Sequence, residues 1–175
     1  MKLLDILPAE NWIELEKEIN KRSGLNASVF DAEGIRVTDF KKWANRLCPV
    51  VKANEKGQSY ICAVAHQNAA NQAKKTRGPV TIECDAGLAK VVVPIFVDDE
   101  FIGVAGGCGL LEKDGKVDSF LINMTTGIDV GEIEILSDDI ATISNDKLKS
   151  VINYIEKELE WIIHDFSKQR LVSTG

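Results

Sequence analysis

Apolar positions along the chain follow two periods, one near 3.6 residues and one of 2. In Ala9–Ser23, Trp12, Leu15 and Ile19 recur at helical spacing, which predicts an amphipathic helix stopped by Gly24. Two short β-prone runs then flank Asp31-Ala32-Glu33-Gly34, whose turn chemistry predicts a β-hairpin over residues 26–38. Residues 40–78 read as mostly helical. The clearest helix there spans 59–75, with Ser59 as its N-cap and Gly78-Pro79 as its break. The period then shortens. Residues 80–84, 89–97 and 101–111 read as three strands joined at Asp85-Ala86-Gly87 and at Asp98-Asp99, with Pro94 marking a bend or an edge. The third strand holds Gly103, Gly106, Gly107 and Gly109, which calls either for close approach of another group or for a bulge. Residues 117–136 read as two short helices broken at Thr126-Gly127. The last segment, 146–171, carries Leu148, Val151, Ile155, Leu159, Ile162 and Phe166 at alternating steps of three and four. That seam either packs on the sheet or serves a parallel dimer or a signalling helix.

This order predicts an α+β fold, a five-stranded antiparallel sheet flanked by helices with long helices at both ends, in the PAS and GAF style. The length of 175 residues fits one domain, with a core over 3–145 and residues 146–171 as a C-terminal signalling or dimerisation helix. Sheets of this kind bind ligands on one face, beneath the helices that follow the hairpin.

Charge narrows the classes of partner. The net charge is −6, and the one dense basic stretch, Lys74, Lys75 and Arg77, falls at a helix end where cations complement the helix dipole. Direct nucleic-acid binding and attraction to an anionic membrane are therefore not expected. The first ten residues lack a signal-peptide pattern, and no apolar run is long enough for a bilayer span, which predicts a cytoplasmic chain with reduced thiols.

The candidate chemistry lies in Cys48, Cys62, Cys84 and Cys108. No pair has C-x-x-C spacing. In an up-down-up meander Cys84 and Cys108 fall at the same end of the sheet, about 10 Å apart across one intervening strand, too far for a disulfide. Strand parity leaves their face open, because one bulge would reverse it. Cys62 and His66 are four apart on a predicted helix and share a face, so they either point at a shared ligand or leave Cys62 as a small buried hydrophobe with His66 at the solvent border, while His164 is expected in solvent. No P-loop, G-x-S-x-G or H-E-x-x-H pattern is present, and no enzyme is expected.

Taken in order, Cys48, Gly57, Cys62, Gly78-Pro79, Cys84-Asp85-Ala86-Gly87-Leu88, Val93-Pro94-Ile95, Ile102-Gly103 and Gly106-Gly107 resemble the PocR sensory domain over residues 3–166. The resemblance implies a PAS-like, non-enzymatic sensor of small organic molecules such as short diols. It also implies an output module, a kinase, chemoreceptor or transcription regulator. Carried over by position, Cys48, Cys62 and Cys84 match that family's cysteines, and Gly87, Gly103 and Gly107 match its glycines. Two positions depart from it: Asp85 stands where the family usually has histidine, and Cys108 where it usually has glutamine. The second change completes a set of four thiols, so an iron–sulfur cluster or zinc on Cys48, Cys62, Cys84 and Cys108 is the alternative to an organic ligand. The expected ligand-binding set is Cys48, Cys62, His66, Cys84, Asp85, Gly107 and Cys108.

Overall fold

The computed structural model describes residues 1–173 and has the expected α+β architecture, compatible with the PAS and GAF style. Helices α1 (Leu3–Ile6) and α2 (Ala9–Ser23) lead into strand β1 (Asn26–Asp31). Helix α3 (Leu47–Ala53), a π-helical segment (Gly57–Cys62) and helix α4 (Ala63–Thr76) follow. Strands β2 (Val80–Glu83), β3 (Ala89–Val97) and β4 (Glu100–Glu112) form the meander. Helices α5 (Ser119–Thr126) and α6 (Val130–Ser137), the short strand β5 (Thr142–Ile143) and helix α7 (Asn145–Ser173) complete the chain.

The sheet runs β1-β4-β3-β2, all antiparallel, with β5 added parallel to β4 at Leu111 and Glu112. The five strands are not the five that the periodicity suggests. The hairpin turn forms, with the Asp31 carboxylate accepting from the Glu33 and Ile35 amides. Its second arm, however, keeps only one bridge, Phe30 with Arg36. The fifth strand is β5, too short to announce itself by alternation.

Residues 40–46, within the section expected to be mostly helical, have no regular structure. Asn45 holds this stretch. Its Nδ2 donates to the Gly109 carbonyl at 2.6 Å, and its Oδ1 accepts from the Cys48 amide at 2.7 Å, which caps α3. Ser59 is not a cap either, because it lies inside the π-helical segment. Asn54 takes that role, its Oδ1 accepting from the Gly57 amide at 3.0 Å while its Nδ2 donates to the Thr126 carbonyl. Gly57 is required by contact: a Cβ there would sit 2.2 Å from the Val51 carbonyl oxygen.

The two sheet faces differ. Ala27, Val29, Val91, Val93, Ile95 and Ala105 point one way and pack, with α2 and α7, into the main core. The seam of α7 is spent there. Leu148, Val151, Ile155, Leu159 and Ile162 are buried against this core, so the face expected to serve a dimer is covered within the chain itself. The opposite face carries Val92, Val104 and Phe30 at one end, packed dry against Ala69 and Ala73 of α4. At its other end it carries Asn26, Ser28, Lys90 and Cys108, beneath α3 and the π-helical segment. Pro94 lies two residues beyond Val92, the last β3 residue paired with β2, where its missing N–H breaks no ladder.

The glycines of β4 satisfy both expectations. A Cβ on Gly106 would lie 1.9 Å from the Val91 carbonyl oxygen, a close strand approach. Gly109 is a bulge: Ala89 pairs Leu110 and Lys90 pairs Cys108, which leaves Gly109 unpaired with φ +105°.

One buried acid ties the outer layer to the core. Glu16 of α2 has no exposed surface. It accepts from the Val29 amide at 2.8 Å and from the Thr38 hydroxyl at 2.7 Å, and pairs with Arg36 at 3.5 Å. Burial raises its pKa, against the opposing pull of Thr38, Arg36 and the Val29 amide. Arg36 in turn donates to the Ala27 and Phe40 carbonyls, which fixes the loop that leads to Asn45.

Candidate functional site

A cavity of about 170 Å³ opens between the polar end of the sheet and the layer formed by α3, the π-helical segment and α4. Its floor is Asn26 and Ser28 of β1, Cys108 and Gly109 of β4, and Lys90 of β3. Asn26, Cys108 and Lys90 form one row across three neighbouring strands. Cys48, Val51 and Lys52 descend from α3, Ile61 and Cys62 from the π-helical segment, and Ala65 and His66 from α4. Cys84, Ala86 and Leu88 close one side from the turn after β2. That turn is held by the Cys84 amide donating to the Leu88 carbonyl and the Gly87 amide donating to the Cys84 carbonyl.

All four cysteines line this one cavity as free thiols, so the face that strand parity left open is the cavity face for both Cys84 and Cys108. Two of the expected site residues are not in its wall. Asp85 is exposed at the turn tip, and Gly107, adjacent to Cys108, faces the opposite side of the sheet, where a Cβ would meet Leu25. His66, a member of the expected set, is in the wall and not at the solvent border. It is buried, 7% exposed, and its ring lies 4.0 Å from that of Phe30. The π-helical segment brings Cys62 and His66 onto the cavity together. His164 is exposed on α7, as expected.

Burial dominates the electrostatics. It pushes the Cys48 and Cys84 thiols up, and the Cys62 thiol up to about 11. It also lowers His66 to about 4, helped by the charges of Lys90 and Lys52. Lys52 is lowered too, first by its own desolvation. At neutral pH the site therefore holds protonated thiols at Cys48, Cys62 and Cys84 and a neutral imidazole. Both ring nitrogens of His66 and the Oδ1 of Asn26 are buried without a hydrogen-bond partner. Among the described residues, no group of three or more His, Cys, Asp or Glu side chains is arranged to hold a metal ion.

The periodicity reading missed the polar floor: Asn26, Ser28, Lys90 and, from the helical side, Lys52. A signal was there. Asn26 and Ser28 alternate with apolar Ala27 and Val29 in a strand that helices cover on both faces, and Lys90 precedes the run Val91-Val92-Val93. Polar residues on a covered face have to meet a partner, a water or a ligand.

Among the described residues no helix is long and apolar enough to cross a membrane. No curated protein and no solved structure is significantly similar to the chain. The sequence profile of the sensory domain found in PocR matches residues 5–165, nearly the whole chain and every cavity-lining position, and the protein belongs to that family.

Proposed function

We propose that this domain senses a small organic molecule bound in the cysteine-lined cavity, and that it passes the event to an output module through α7 without catalysing a reaction. The observation that carries the reading is a cavity of about 170 Å³ with buried polar atoms, His66 Nδ1 and Nε2 and Asn26 Oδ1, left without partners. A cavity of roughly 150 Å³ accepts benzene, so a ligand of about six non-hydrogen atoms fits. The role of α7 is supported by β3. That strand presents Lys90 to the cavity and Val91 and Val93 to the core shared with α7, so movement of one strand reaches both. The non-catalytic reading is supported by Cys62 and His66. A nucleophilic cysteine needs a thiolate beside a protonated base, whereas burial holds both groups neutral.

Melting temperature measured against a panel of small alcohols, diols, acids and amides tests the reading. A binder at about a hundred times its Kd adds about 2.7 kcal/mol, which moves the transition by roughly 5–10 °C. Cys108→Leu, which fills the floor, should abolish that shift. A panel with no effect on the wild-type protein refutes the reading. Stoichiometric iron or zinc in anaerobically purified protein would put the metal alternative in its place.

A further inference from the structure

The cavity is positively charged in a way that a neutral ligand does not answer. Lys90 is 7% exposed, and its ammonium reaches across β4 to within 6.0 Å of the Phe30 ring centre. Lys52 is half-buried at the same cavity. Among the described residues neither lysine forms an ion pair with a carboxylate. Arg36, the third cation of the lining, is already engaged by buried Glu16. The one acidic residue of the lining, Glu33, is exposed at the rim. Two cations thus line one cavity without a carboxylate partner, an arrangement that is costly until a negative charge enters.

The remaining wall is apolar. Leu47, Val51, Ile61 and Leu88 are all buried, and the cysteine sulfurs add soft, weakly polar surface. The site therefore offers a charged end and a carbon-lined end.

We propose that the ligand is a short-chain carboxylate of about six non-hydrogen atoms, its charge met by Lys90 and Lys52 and its carbon tail by the Leu47, Val51, Ile61 and Leu88 wall. The inference rests on the sensor reading above and gives its ligand a class. Neutral His66 adds one donor and one acceptor, and Asn26 Oδ1 accepts from a hydroxyl where the ligand carries one.

Calorimetric titration and melting curves with acetate, propionate, butyrate, valerate and lactate, beside butyramide, 1,3-propanediol and inorganic phosphate, test it. At least one carboxylate should bind about tenfold or more tightly than butyramide, and Lys90→Met should weaken that binding by about tenfold or more. Lys52→Met, at a less buried position, provides the same test with a smaller loss should Lys90→Met fail to fold. Equal binding of butyrate and butyramide, or affinity indifferent to both lysine variants, overturns the charge assignment and leaves the sensor reading intact. Phosphate binding as tightly as the best carboxylate overturns the carbon tail. If no carboxylate binds while a neutral compound does, the proposal fails alone; if nothing in either series binds, the sensor reading fails with it.

Discussion

His66 gives the sharpest physical test, because its state follows directly from its surroundings. In an unfolded chain the imidazole takes a proton near pH 6.5, whereas in the folded protein burial and the neighbouring lysines delay that to about pH 4. Between these values the unfolded chain binds more protons, so folding stability falls as the pH falls. Each pH unit in that window is worth about 1.4 kcal/mol, so the loss reaches about 2 kcal/mol between pH 7 and pH 5 and levels off below pH 4. Other groups titrate in the same range, and a difference measurement removes them. His66→Phe keeps a ring against Phe30 and carries no proton. Urea unfolding of both proteins between about pH 4 and pH 7.5 should give curves that converge or cross as the pH drops, with wild type losing about 2 kcal/mol more than the variant. Proton NMR offers a direct check, since the chain has two histidines and His164 provides the comparison resonance. Parallel stability curves, within about 0.5 kcal/mol from pH 7 to pH 5, would refute the argument that burial keeps His66 neutral.

Glu16→Ala should destabilise by about 3–5 kcal/mol, because it strips a partner from the Val29 amide, Thr38 and Arg36 at a fully buried point; denaturant unfolding with an unchanged m-value checks this. Gly57→Ala should cost about 1–3 kcal/mol by forcing a methyl against the Val51 carbonyl, whereas Gly78→Ala, whose new atom would meet nothing closer than 3.9 Å, should stay within about 0.5 kcal/mol in the same thermal melts. With its pKa near 11, Cys62 should be alkylated by iodoacetamide at pH 8 roughly a hundredfold more slowly than in urea, as read by mass spectrometry of the tryptic peptide.

Segments with strong periodicity were legible from the chain. The pattern gives helix α2 at Ala9–Ser23, α7 within a residue or two of its ends, and β3 at Ala89–Val97, because periods of 3.6 and 2 are sustained there and are bounded by Gly24, Asp85-Ala86-Gly87 and Asp98-Asp99. Convergence of the four thiols was legible only through topology. What failed to read had local causes. The π-helical segment inserts a residue into the helical period, so Ser59 looked like a helix start when Asn54 performs that role. The 40–46 loop takes its shape from Asn45 and Arg36, which bond to carbonyls distant in sequence or across the loop. Helical spacing leaves His66 open between a shared ligand and the solvent border, because its own helix says nothing about Gly34 and Phe30, which cover it. Gly107 lies outside the cavity although Cys108 lines it, because neighbours in a strand face opposite ways.

The sheet itself carries the argument for function. Both of its faces are covered by helices, and on the α2–α7 side it is furnished as packing alone requires, with Ala27, Val29, Val91, Val93 and Ile95. On the other side the same strands turn polar at one end only, where Asn26, Ser28 and Lys90 meet a helical layer that brings in His66 and Lys52. An unpartnered buried polar group costs about 1–3 kcal/mol, and a buried unpaired charge more. Apolar side chains at these positions would close the space and stabilise the fold, as they already do around Val92 and Val104 a few residues away. Stability given up at one place in an otherwise consistent core is what a recognition site looks like before its ligand arrives. On the proposed sensor reading, a bound ligand would supply the missing partners, the liganded form would be the more stable one, and the free energy it added would be available to shift the strands that the cavity and α7 share.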